Sequence, residues 1–199
     1  WYYFEALNMK SAEKRVNKFK AGKINNLSKF YIMMESANKK NEKAYLASGC
    51  FWGTQYHLNK AFGVASTFVG YMGGELENPT YPEVKTGLTG HVETVEVNFD
   101  PEVISFDKVL ELYFETHDFT QVGGQGPDIG TQYRSVIFYT DEKQKETAEK
   151  YIAILSNMGH KVATALEPAC KFWVAEDYHQ HYYDKKEDTP YCHIYKKIF

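Results

Sequence analysis

Nowhere does this sequence carry an apolar run long enough to span a bilayer, so a helical membrane segment is excluded. Cysteine is scarce: Cys50, Cys170 and Cys192 are the only thiols among 199 residues, too few and too scattered for a disulfide scaffold. An odd number in a chain of this length points to a reducing compartment or to redox chemistry. Paired CxxC and HExxH runs are absent as well. A zinc site would have to be assembled from scattered groups such as His179, His181, Cys192 and His193, and no metal is expected. Nor is there an excess of one charge. A net charge of -3 gives no electrostatic reason for nucleic acid or an anionic membrane as partner, and a monomer is expected. The opening WYYFEALNMK lacks the basic start and apolar stretch of a signal peptide, so a cytoplasmic setting is expected.

What is abundant is aromatic surface, with 16 Tyr and 13 Phe. Such rings fill cores, and tyrosines also suit pockets that need a polar tip. Residues 1–41 are Lys- and Asn-rich and read as an extension without visible chemistry, while 42–199 read as the catalytic domain. Within that domain KAYLAS reads as a strand, FWGTQYHLNKAFG as a helix, and VASTFVGYMGG as a strand entering a glycine turn. The stretch ELENPTYPEVKTGLTG reads as a long surface loop, and HVETVEVNFDP as a half-buried strand. SFDKVLELYFETHD is a helix with Ser105 as its N-cap. FTQVGGQGPDIGTQY is a Gly-rich loop, RSVIFYT a strand, DEKQKETAEKYIAILSNMG a capped helix closed by Gly159, and HKVATALEP a strand. The tail from Cys170 has little regular patterning. Helices between strands point to a two-layer α/β sandwich.

Four places carry chemistry. Cys50 stands where a strand turns into a helix, between Gly49 and Gly53, beside unpaired amides and the positive end of the helix dipole, which favours thiolate. Phe51 and Trp52 follow directly and form an apolar wall suited to a methyl or thioether group. In the next strand, Glu93 near aromatic rings can hold a proton for donation, and His91 shares its face. A loop from Gly126 through Asp128 to Tyr133 and Arg134 presents donors at a sheet edge, with Tyr81 as a second hydroxyl. Near the terminus, Cys192 on a flexible tail can resolve an oxidised thiol, and Cys170 has the weaker claim. Each residue taken singly is as readily structural. Three readings stay open: a thiol reductase, a thiol peroxidase or hydrolase pairing Cys50 with His91, and a non-catalytic module that binds thioether side chains.

Taken together, GCFWG at 49–53, NPTY at 78–81, GHVETVEVNFDP at 90–101, HDFTQ at 117–121, QGPDIGTQYRS at 125–135 and AEDYHQHYY at 175–183 resemble the peptide methionine sulfoxide reductase A family. The resemblance runs in family order from near Lys43 to Cys192. It implies an α+β fold, a two-layer sandwich with a ferredoxin-like split βαβ core and an irregular C-terminal tail. It implies that Cys50 attacks the sulfoxide sulfur, that Glu93 protonates the oxygen with help from Tyr81 and Tyr133, and that Phe51 and Trp52 hold the methyl group. Asp128 would line the pocket, Cys192 would recycle Cys50, thioredoxin would be the reductant, and no cofactor would be needed. The substrate would be the S epimer of methionine sulfoxide, in oxidised proteins or free. Three departures stand out: Phe119 where the family usually has Pro, Val122-Gly123-Gly124 in place of a stretch that is more often Asn-Arg, and His181 where Gln is frequent. Losing a common Arg and gaining Gly is expected to loosen the loop ahead of Tyr133.

Overall fold

A six-stranded sheet, with its strands in the spatial order Ala165–Pro168, Ser135–Tyr139, Glu42–Ser48, Val92–Phe99, Val64–Met72 and Trp173–Val174, organises the chain in the computed structural model, which describes residues 41–199. The extension expected over 1–41 lies outside the described residues except for Asn41. Strand β1 (Glu42–Ser48) leads into helix α1 (Phe51–Leu58) and strand β2 (Val64–Met72). Strand β3 (Val92–Phe99) then runs antiparallel to both β1 and β2 and lies between them. This is a split βαβ unit. Helix α3 (Phe106–Glu115) carries the chain to β6 (Ser135–Tyr139), which pairs antiparallel with the other side of β1. The two interleaved units give the expected ferredoxin-like core. Helix α4 (Glu142–Asn157) returns the chain to β7 (Ala165–Pro168), parallel to β6.

The helices form where periodicity and caps agree. Helix α3 buries Phe106, Val109, Leu110, Tyr113 and Phe114, and Ser105 accepts from the Lys108 amide as its cap. Asp141 caps α4 in the same way through the Gln144 amide at 2.9 Å. The apolar faces of α1, α3 and α4 meet Leu46, Val69, Val95, Val97 and Phe99 of the sheet in one core.

The expectation of a half-buried β3 is corrected: seven of its eight residues are buried. Its alternation is real, but neither face meets water. Val95, Val97 and Phe99 point to the helices, while Val92 joins Ala47, Met72, Val136 and Phe138 on the opposite face, against which Ala169 and Phe172 pack. Glu96 on that second face is satisfied by Lys43 Nζ at 3.0 Å and the Tyr45 hydroxyl at 2.8 Å. A polar residue in an alternating strand therefore marks a paired position here, not solvent.

Local expectations fail where elements are short. The expected loop after β2 contains helix α2 (Tyr81–Lys85), set by a capping box between Thr80 and Glu83. The Gly-rich loop folds into a hairpin of β4 (Gly124–Gln125) and β5 (Asp128–Ile129), and the tail holds β8 (Trp173–Val174) and α5 (Tyr182–Lys186).

Candidate active site

Cys50 is the N-cap residue of α1, at the end of β1 where the sheet meets the helix layer. The turn requires Gly49: its φ is +93°, and a Cβ there would lie 2.2 Å from the Cβ of Gln125. Glu93 is reached from β3, two strands pairing so that its carboxyl group comes under the first turn of α1. Oε2 of Glu93 accepts from the Phe51 amide at 3.0 Å. The carboxyl group is 2% exposed, and burial pushes its pKa up to about 8 against the pull of that amide. At neutral pH it holds a proton.

The same contact corrects the expectation that the helix start favours thiolate. The leading amide of α1 is engaged by Glu93, and although the Trp52 amide steadies the sulfur, burial and the Glu93 charge raise the Cys50 pKa well above the ordinary thiol value. At neutral pH both groups keep their protons.

The two rings after the thiol differ. Phe51 is 1% exposed and packs on Tyr71 at 5.9 Å between centroids, as a core residue. Trp52 is half-buried, stacked on Tyr182 at 3.7 Å with planes 6° apart, and its Nε1–H donates to His179 Nδ1 at 3.1 Å. Tyr81 opens α2, and its ring lies 4.5 Å from that of His179. Its hydroxyl lies near that of Tyr133, and burial with the Glu93 charge raises both phenol pKa values. Asp128, at the start of β5, is close enough for its charge to act on Cys50, Glu93 and Cys192, and its own pKa is raised by burial. Tyr191 Oη donates to Asp128 Oδ2 at 3.5 Å.

Cys192 joins this group, since its charge also acts on Cys50. The expected flexible tail is corrected. His193 is buried, the amide of Lys196 donates to the Glu115 carbonyl at 2.7 Å, and the amides of Ile198 and Phe199 donate to the Glu115 carboxylate at 2.9 and 3.0 Å. The terminal Phe199 ring packs on Phe114 and Tyr151. Buried charge on Glu115 needs donors, and the tail's backbone supplies them. Cys170, by contrast, is exposed beside Phe172 on the opposite face of the sheet.

The departures ahead of Tyr133 each have a defined place. Phe119 is a core residue with its ring edge-on to Phe114 and His160, and the Ala163 amide donates to its carbonyl at 2.8 Å. Gly123 accepts from the Gly130 amide at 2.9 Å, closing the β4–β5 hairpin.

His91 does not face the thiol as a base. It is buried, its Nδ1 accepts from the Gly74 amide at 3.2 Å, and its Nε2 donates to the Leu76 carbonyl at 2.8 Å. Among the described residues, no group of three or more His, Cys, Asp and Glu is placed to hold a metal ion.

Sequence reasoning missed the supports in the segment 175–183, quoted as a motif but given no role. Glu176 accepts from the Tyr81 amide at 2.9 Å and from the Tyr71 hydroxyl at 2.8 Å. Gln180 binds the backbone of Val69 with both amide atoms, and His179 and Tyr182 clamp Trp52. A polar run with no helical or strand period, placed late in the chain, was the available signal.

The family profile described as "Peptide methionine sulfoxide reductase" matches residues 42–199. Peptide methionine sulfoxide reductase MsrA of Methanothermobacter thermautotrophicus is 50% identical over 147 residues, covering 72% of this chain and 87% of that protein. Among solved structures, Mxr1 from Saccharomyces cerevisiae in reduced form superposes with a TM-score of 0.74 at 35% identity, covering 80% of this chain and 94% of that one. The same yeast protein in complex with Trx2 gives a TM-score of 0.54 at 25% identity, over 80% of this chain and 92% of that one. A thiol at the start of α1, a protonated carboxyl group beneath it and a second thiol beside them thus stand in the fold of that yeast protein, on a chain half identical to the archaeal one: this chain belongs to the peptide methionine sulfoxide reductase family.

Proposed function

We propose that this protein is a peptide-methionine (S)-S-oxide reductase, acting on oxidised methionine in proteins and on free methionine sulfoxide. The observation that carries the reading is the Glu93–Phe51 contact at the base of α1, which places a proton-holding carboxyl group beside Cys50. Sulfoxide oxygen leaves poorly unless protonated, so the nucleophile needs an acid next to it. Cys50 attacks the sulfoxide sulfur as thiolate, Glu93 gives its proton to the oxygen, and Tyr81 and Tyr133 hold that oxygen by hydrogen bonds. The thiol proton returns to Glu93, so the net transfer is one proton from sulfur to oxygen. The hydroxyl then passes from the substrate sulfur to the Cys50 sulfur as the substrate S–O bond and the S–S bond break, so methionine leaves reduced and Cys50 remains as a sulfenic acid. Trp52 and the edge of Phe51 hold the methyl group, and Asp128 lines the polar side.

Cys192 then condenses with the sulfenic acid, and thioredoxin reduces the disulfide; the yeast relative's complex with Trx2 supports that partner. The domain that does this is 42–199, with 1–41 an extension. Three free thiols and a dithiol reductant suit the cytoplasm, and no helix among the described residues is long and apolar enough to cross a membrane.

The hydrolase reading loses its base, because both nitrogens of His91 are held by backbone. The test is turnover of the separated epimers of a blocked methionine sulfoxide, with dithiothreitol and then with thioredoxin. Reduction of the S epimer alone, by both reductants, is expected. Turnover of neither epimer would overturn the reading.

A further inference from the structure

His193 follows the second thiol, and nothing in the reading above uses it. Its ring is 2% exposed, and Nε2 lies 2.7 Å from the carbonyl oxygen of Ser48, the last residue of β1. A carbonyl oxygen only accepts, so Nε2 carries the ring's hydrogen. Burial, reinforced by the facing rings of His117 and His57, keeps the imidazole neutral and pushes its pKa down to about 3. Nδ1 is therefore a bare acceptor. The Sγ of Cys192 stands 3.1 Å from it, and the S–H is the donor in that contact.

The pair is held in place by the nucleophile's own helix and by strand β4. His57 Nε2 donates to the His193 carbonyl at 2.8 Å, and Gln125 Nε2 donates to the Cys192 carbonyl at 3.2 Å. Gly53 leaves the space the imidazole occupies: a Cβ there would sit 2.3 Å from Nδ1. A glycine one turn into a helix has a propensity cost, and here the ring of His193 accounts for it.

We propose that His193 is the proton-transferring residue of the recycling step: Nδ1 takes the thiol proton of Cys192 as that sulfur attacks Cys50 and gives it at once to the departing hydroxide, so that the ring is charged only in passing. This rests on the reading of Cys192 as the resolving thiol. The step balances as Cys50–S–OH plus H–S–Cys192 giving the disulfide and water. The S–S bond forms, the S–O bond of the sulfenic acid breaks, and the departing hydroxide receives the proton that passes through Nδ1. The sulfenic sulfur is reduced and the thiol sulfur is oxidised, so no external oxidant or reductant enters. The base is needed because burial and the Asp128 carboxylate push the Cys192 thiol up to about 11. At neutral pH about one thiol in 10⁴ would otherwise be the reactive thiolate.

The experiment mixes reduced protein with one equivalent of the S epimer of a blocked methionine sulfoxide. Methionine release and, in acid-quenched samples, the Cys50–Cys192 disulfide are followed separately. His193→Asn keeps an acceptor near the place of Nδ1 but cannot take a proton. Disulfide closure is expected to slow by about 10²–10⁴-fold, with the methionine burst remaining as the sign of a folded site. The wild-type closure rate is expected to be flat between about pH 6 and 9, since His193 is uncharged throughout that range. The charged and titratable neighbours in the comparison are His57 and His117 facing His193, and Asp128 facing Cys192.

Closure at the wild-type rate in His193→Asn would overturn the proposal, as would slowing in Asp128→Asn alone. A wild-type rate that climbs about tenfold per pH unit would overturn it too, because a pre-formed thiolate would then carry the step. If His193→Asn loses the burst through misfolding, that wild-type profile decides. Absence of any Cys50–Cys192 disulfide in the wild type would remove the recycling reading itself, whereas closure indifferent to His193 removes only the base.

Discussion

The amide of Phe51 donates to the carboxyl group of Glu93 at 3.0 Å, so the start of the nucleophile's helix holds its acid with one amide and its thiol with the next, that of Trp52. The amide that would have lowered the thiol pKa instead fixes the carboxyl group in a buried place. Burial then does the rest, keeping a proton on Glu93 to about pH 8. Acid and nucleophile are held by successive amides of one helical turn.

Glu93→Gln is expected to slow sulfoxide reduction by about 10²–10⁴-fold, the size of a general-acid contribution. In the wild type, kcat/KM should fall as pH rises past about 8, where the acid loses its proton. That alkaline limb should be missing from the variant. Stopped-flow methionine release across pH 6–10 checks both, and full activity in Glu93→Gln would remove the proton donor.

The same burial acts on stability. Glu93 has a folded pKa of about 8 against an ordinary 4.5, so between those values the unfolded chain binds fewer protons than the folded one. Stability from this group is complete below the lower value and is lost as pH rises through the upper one. Urea unfolding should therefore show Glu93→Gln gaining on the wild type from pH 5 to pH 9, by on the order of a few kcal/mol. A constant difference across that range would contradict the buried acid.

Cys192→Ser is expected to release one equivalent of methionine and then stop with thioredoxin as reductant. Cys170→Ser should cycle normally, because Cys170 is exposed on the opposite face of the sheet. Product counted per enzyme over several turnovers separates the two. Sustained cycling in Cys192→Ser would assign resolution elsewhere.

His179 accepts from the Trp52 indole at 3.1 Å, and its own Nε2 is buried without a hydrogen-bond partner, 3.9 Å from Glu176. It acts as a positioning residue for Trp52. His179→Leu should raise KM for the sulfoxide about tenfold, the loss of one hydrogen bond of roughly 1.4 kcal/mol, with a smaller change in kcat. His179→Asn, which keeps an acceptor near Nδ1, should recover most of the KM. Equal KM in both variants would show that the indole contact does not orient the ring.

Much of the fold and half of the site could be read from the chain itself. The periods of α3 and α4 and their Ser105 and Asp141 caps are local properties, set by side chains within a few residues of each other. The Gly49–Cys50 turn is equally local, because its backbone conformation needs glycine. Only tertiary structure decided the rest. Burial of β3 on both faces follows from its central place between β1 and β2 and from the Ala169–Phe172 segment laid over it, and no pattern within β3 encodes that cover. The docked tail depends on the Glu115 carboxylate more than 80 residues earlier, and the clamp on Trp52 on side chains about 130 residues later. The thiol pKa was reversed for the same reason: a helix start is a local feature, but the group that takes its amide arrives from another strand. Hydrogen bonds and desolvation act through space, so the sequence determined which groups exist and the packing determined what each one does.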